Sequence, residues 1–173
     1  MHVQTKGLLV LVTLLVGCGI QRSYKLEWPE VRAGAHTYFG GDPSYNRILW
    51  GGQLGAVSPA FSVRLTDGRI FKPDELTIAK LESHGAKKSF YVHPYDDKKW
   101  DRTNLLIESG AGTLRASFDM QNRLQNISIS THTGEGTVFV GDRSGQRMIP
   151  LPASRDELVE LFGEPERERM TQH

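Results

Sequence analysis

The chain has a single cysteine, Cys18, in 173 residues. An intramolecular disulfide is therefore excluded, and the fold must be held by its own core. Long apolar runs are missing as well. The stretch from Leu8 to Val16 is interrupted only by Thr13, yet it is about half of the ~20 residues that a membrane-spanning helix needs. No charge sign dominates, since 21 lysines and arginines face 20 aspartates and glutamates. That balance argues against a dedicated binder of nucleic acid or of an anionic membrane surface. With 18 glycines and 8 prolines, the composition stays below the roughly 25 per cent of glycine plus proline that marks a disordered chain.

Catalytic signatures are scarce too. The glycine-rich region around Arg47-Ile48-Leu49-Trp50-Gly51-Gly52 lacks the lysine and hydroxyl residue of a phosphate-binding loop, so it reads as loops and a strand. No G-x-S-x-G elbow presents a serine nucleophile. His84, His93 and His132 lack the paired spacing of zinc motifs, because two histidines on one helical face need to be four apart. No cofactor, metal or catalytic residue is assigned. The one alternative is His93-Pro94-Tyr95-Asp96-Asp97, an imidazole and two carboxylates that would serve a hydrolase using His93 with Asp96 or Asp97. A polar loop after a strand explains the same residues.

What is present begins at the amino terminus. Lys6, the apolar run Leu8 to Val16 and the small residue Gly17 have the layout of a secretory signal, a basic start followed by an apolar core and a cleavage point. Leu15-Val16-Gly17-Cys18 resembles the lipobox of bacterial lipoproteins at all four positions. The resemblance implies cleavage between Gly17 and Cys18, lipidation of Cys18, and a bilayer as first partner. In that family an aspartate after the cysteine favours the inner membrane, so Gly19 implies an outer-membrane anchor facing the periplasm. The resemblance stops there and assigns no activity to the rest. Lys6 is the sole charged residue before Cys18, which leaves residues 18–173 with equal numbers of basic and acidic side chains.

The expected organisation is a signal peptide over 1–17, a tether or first strand over 18–36, one globular domain over 37–163 and a polar tail over 164–173. Phe61, Val63 and Leu65 alternate with polar residues, and Asp67-Gly68 suits a tight hairpin turn. A helix is expected from Pro73 or Asp74 to His84, ended by Gly85. Strands follow at Ser89 to His93 and Asn104 to Ser109. Thr113 to Thr131 is the strongest hairpin, with Leu124 out of phase with Ile127 and Ile129. That slip predicts a bulge near Gln125. Val138 to Val140 and Arg147 to Leu151 form another hairpin, and Ser154 with Glu157 predicts a capping box at the start of a helix.

The order of hairpin, Asp-Glu-Leu and helix occurs twice, over 61–85 and 138–163, and reads as two uses of one device, with duplication as the alternative. Asn126-Ile127-Ser128 matches a glycosylation sequon but lies mid-strand, so it reads as structural. Trp28, Tyr38, Phe39, Tyr45 and Trp50 read as core, or alternatively as an exposed patch for a partner. The fold class expected is α+β, a mostly antiparallel sheet packed by two short helices. Function is expected to be non-catalytic: binding an envelope protein, or neutralising a toxin as an immunity protein does.

Overall fold

The computed structural model describes residues 22–28, 35–39, 46–51, 61–91 and 102–172. In chain order these form β1 (Arg22–Glu27), β2 (Ala35–Phe39), β3 (Asn46–Gly51), β4 (Ser62–Arg64), β5 (Ile70–Phe71), α1 (Ile78–Ser83), β6 (Lys87–Tyr91) and β7 (Arg102–Ser109). β8 (Gly112–Phe118), β9 (Leu124–Thr131), β10 (Val138–Gly141), β11 (Met148–Leu151), α2 (Arg155–Phe162) and β12 (Arg167–Gln172) complete them. The strands make two antiparallel sheets. The larger has eight strands in the order β12-β1-β2-β3-β9-β8-β7-β6, and the smaller has four in the order β11-β10-β4-β5. The mostly antiparallel architecture with two short α-helices is the one that period-2 alternation predicts.

Alternation decides which side of each strand is buried. Along β8 the residues Leu114, Ala116 and Phe118 are buried, while Arg115 is exposed between them. Ile127 and Ile129 of β9, Leu105 and Ile107 of β7, and Ile48 and Trp50 of β3 continue that apolar face. Val63, Phe71, Val138, Val140 and Leu151 of the small sheet join the same cluster, together with Leu81 of α1 and Leu158 of α2. One core thus takes side chains from both sheets and both helices. The bulge sits where the phase slip predicts it: Ser117 pairs with Asn126 and Phe118 with Leu124, so Gln125 is the extra residue.

The two hairpin–helix units lie side by side. β4 and β10 pair antiparallel about Val63 and Val140, which relates the two hairpins by an approximate twofold axis through the small sheet. At the second unit, Ser154 Oγ accepts from the Glu157 amide at 3.3 Å, and the Ser154 amide donates to Glu157 Oε2 at 2.8 Å. This reciprocal cap satisfies two otherwise unpaired donors at the start of α2.

Two expectations are corrected, and one pair of alternatives is decided. The single helix from residue 73 or 74 is two pieces, a 3-10 turn at Pro73–Glu75 and then α1, because Thr77 caps a new start by accepting from the Lys80 amide. Of the two readings of 18–36, tether or first strand, residues 22–27 are the strand: β1 is an interior strand of the large sheet, and Leu26 and Trp28 are buried. The polar tail over 164–173 contains β12, paired with β1 from Arg22↔Gln172 to Glu27↔Arg167. Its residues Arg167 to Met170 are exposed, so no apolar alternation signals it. Backbone pairing holds it instead, helped by the Glu166 amide on Glu27 O at 2.7 Å and Arg155 Nε on Glu168 at 2.9 Å. A charged edge strand of this kind resists pairing with other chains.

The β4–β5 turn is fastened by charge. Arg69 donates through Nε to Asp67 Oδ2 at 2.7 Å and through Nη2 to the same oxygen, while its Nη1 reaches His84 O at the end of α1. The bonded guanidinium lowers the Asp67 carboxyl to about 2 from 3.8. A carboxyl depressed on folding contributes stability above its unfolded pKa and loses that contribution as pH falls through the folded one. Asp67→Asn is therefore expected to lower the urea midpoint by a constant amount from pH 7 to about 5, with the gap closing between about pH 4 and 2. Because the carboxylate is partly exposed, the gap at neutral pH is expected to be no more than about 1 kcal/mol. A gap that persists undiminished at pH 2 would assign the effect to turn geometry rather than to charge.

Candidate functional site: the outer face of the large sheet

The side chains that alternation turns away from the core have no second layer over them among the described residues. Register sets them in rows. Ser89 lies opposite Asn104, Asn104 opposite Ser117, and Ser117 opposite Asn126, giving a ladder of amides and hydroxyls across β6, β7, β8 and β9. One step along, Leu106 lies opposite Arg115, Arg115 opposite Ser128, and Ser128 opposite Leu49 of β3. Arg102 and Arg47 flank these rows. All ten line one open cavity of about 690 Å³. Residues of five neighbouring strands border this single hollow, so their side chains present a concave surface there.

The lining is charged in one sense. Among the described residues it contains Arg47, Arg102 and Arg115 and no acidic residue. Glu108, on the same face of β7, is engaged at 2.8 Å by Lys87, which lowers its carboxyl below the usual range through that hydrogen bond. Several arginines elsewhere are spent on the protein itself: Arg64 stacks over the Phe139 ring at 3.9 Å, and Arg123 bonds Asp119 at 2.8 Å. Arg47 and Arg115 differ from these, for neither makes a hydrogen bond or ion pair to a described residue.

Ser128 is the most informative residue of the face. It is only 6% exposed, yet its hydroxyl has no hydrogen-bond partner among the described residues. The other buried polar residues are satisfied. Ser62 Oγ donates to Asp142 O at 2.7 Å, Ser109 Oγ bonds Thr66 Oγ1 at 2.7 Å, and Thr131 is engaged. A buried hydroxyl left unpaired costs about 1–3 kcal/mol, so its place in a cavity wall calls for something to meet it. The neighbouring Asn126 amide likewise has no partner among the described residues, whereas Ser117 donates to Asn104 Oδ1 at 2.6 Å.

Chemically this wall supplies hydrogen-bond donors and fixed positive charge. Guanidinium groups keep their charge across the working pH range and do not act as general bases, and among the described residues no histidine or carboxylate lines the cavity to activate a serine. The arrangement is suited to holding an anion.

The residues singled out in the sequence lie mostly elsewhere. Gly17 and Cys18, and the His93, Asp96 and Asp97 of the hydrolase alternative, fall outside the described residues, as does Tyr45. Trp28 and Trp50 are core, at 4% and 3% exposure. Tyr38 and Phe39 belong to β2. The sequon residues Asn126 and Ser128 are mid-strand as expected, but they sit on the cavity wall. Polar alternation in both β8 and β9 was the available signal for this face. Among the described residues no group of three or more His, Cys, Asp or Glu is placed to hold a metal, and no helix is long and apolar enough to cross a membrane. No protein-family model matches the chain, nor does any curated protein or solved structure.

Proposed function

We propose that this chain is a bacterial envelope lipoprotein, tethered to the outer membrane through acylated Cys18, that works in the periplasm as a non-catalytic binding module. The lipobox-like Leu15-Val16-Gly17-Cys18 supports the tether. Each buried methylene contributes roughly 0.8 kcal/mol, so the multiple acyl chains of a lipoprotein anchor give lasting attachment where one chain would not. The observation that carries the binding role is the open concave face, where Arg47, Arg115, Asn126 and Ser128 present groups that no described residue uses. Four polar side chains of one cavity without a partner among the described residues, and with no base or nucleophile pair in its described lining, favour holding a ligand over cutting one. Neutralising a toxin would be one use of such a face.

The tether has a direct test. Wild-type protein is expected to incorporate radiolabelled palmitate and to fractionate with membranes. Cys18→Ala is expected to lose the label entirely and to retain residues 1–17. Undiminished labelling of that variant, or a free Cys18 thiol in protein purified from membranes, would refute the anchored reading.

A further inference from the structure

We infer that the concave face takes a short anionic saccharide, a sugar carrying a carboxylate or a phosphate. This rests on the reading of that face as the working surface and names its ligand. Charge comes first. Arg47 and Arg115 are two strands and two residues apart, about 12 Å between Cα atoms at ordinary strand spacing and rise. Both line the same cavity, so their side chains can close on one anionic group or grip two along a short chain.

The floor between them chooses the body of the ligand. Ser128 lies opposite Arg115, with Asn126 two residues away on the same face of β9. The ladder Ser89, Asn104, Ser117, Asn126 extends from there. Amides and hydroxyls supply both donors and acceptors, which matches neighbouring sugar hydroxyls. A hydrocarbon body would leave Ser128 and Asn126 unpaired, at the cost that buried polar groups carry. Leu49 and Leu106 flank the Arg115–Ser128 pair, where they can meet the C–H side of a ring. A cavity of about 690 Å³ is within the range of roughly 300–1,000 Å³ usual for small-molecule sites.

The test uses full-length protein purified from membranes in detergent, titrated calorimetrically with glucuronate, glucose 6-phosphate, glucose and inorganic phosphate. Saturable binding of at least one anionic sugar is expected, with glucose and inorganic phosphate each at least tenfold weaker. The two anionic sugars separate a carboxylate from a phosphate preference. Ser128→Ala and Arg115→Gln are each expected to weaken binding at least tenfold, with Arg47→Gln as a further variant on an accessible side chain. Lys87→Gln, on the Glu108 pair outside the cavity, is expected to bind as wild type. Equal affinity for glucose, equal affinity for phosphate alone, no saturable binding of either anionic sugar, or unaltered binding by folded Ser128→Ala and Arg115→Gln would each overturn the assignment. Saccharide binding intact in wild-type protein whose Cys18 carries a free thiol would remove the anchored reading alone. An intact tether without saccharide binding would remove the ligand class alone.

Discussion

Replacing Trp28 with alanine is expected to lower the free energy of unfolding by about 3–5 kcal/mol, the range for deleting a large buried aromatic. The indole is 4% exposed, and it joins parts of the chain that are far apart in sequence. Its Nε1 donates to Gly163 O at 2.7 Å, and its ring meets Phe162 edge-on with centroids 5.5 Å apart. Trp28 directly follows β1, whereas Gly163 caps the end of α2. The residue therefore bolts an interior strand of the large sheet to the last helix, next to the point where Glu166 bonds back to Glu27. Trp28→Phe keeps much of the apolar volume but removes the donor, and is expected to cost only about 1–2 kcal/mol, near the value of a hydrogen bond with its stranded acceptor. Urea denaturation of the three proteins checks the order. An alanine variant within 1 kcal/mol of wild type would show that α2 and the carboxy-terminal strand are not coupled to β1 through this side chain.

Gly110→Ala is expected to be the more damaging of two formally similar glycine changes. Gly110 and Gly68 both have positive φ, +50° and +86°, a region where a Cβ costs roughly 1–2 kcal/mol. At Gly68 a Cβ would meet nothing within 4 Å, so that strain is the whole penalty. At Gly110 the Cβ would fall 2.2 Å from Glu135 O and 2.7 Å from Thr66 Oγ1. Glu135 O cannot retreat freely, because it accepts the Ala111 amide at 2.9 Å. Relieving the collision means breaking that bond or shifting the β7–β8 turn, and overpacking of this kind costs about 1–3 kcal/mol more. Gly110→Ala is thus expected to lie about 2 kcal/mol below Gly68→Ala in stability by chemical denaturation. Equal losses would show that the turn and the Glu135 loop move apart without resistance.

Much of the local structure was legible in the residues. Period-2 alternation marked β7, β8 and β9, Asp67-Gly68 marked a turn, Ser154 with Glu157 marked a cap, and the phase of Leu124 marked the bulge. Each of these signals lies within a few residues of what it governs, because side-chain periodicity, turn dihedrals and capping bonds are short-range effects. β12 was not legible for the opposite reason. Arg167-Glu168-Arg169-Met170 has no apolar face, and only the hydrogen-bonding edge of β1, 150 residues earlier by the register of Arg22 with Gln172, makes it a strand. The break between the 3-10 turn and α1 was missed because the propensity of Asp74-Glu75-Leu76 for helix gave way to the cap at Thr77.

The candidate site divides in the same way. The chain alone determined that Arg115 and Ser117 share one side of a strand, that Asn126 and Ser128 share one side of the next, and that Leu15 to Cys18 has the form of a lipid-attachment signal. Tertiary structure decided which rows face each other, that β3 brings Arg47 and Leu49 beside β9, and that a hollow forms over them. It also decided that Ser128 is buried without a partner among the described residues. Alternation along a strand is local, but register between strands and the satisfaction of a buried hydroxyl depend on groups brought together only by folding.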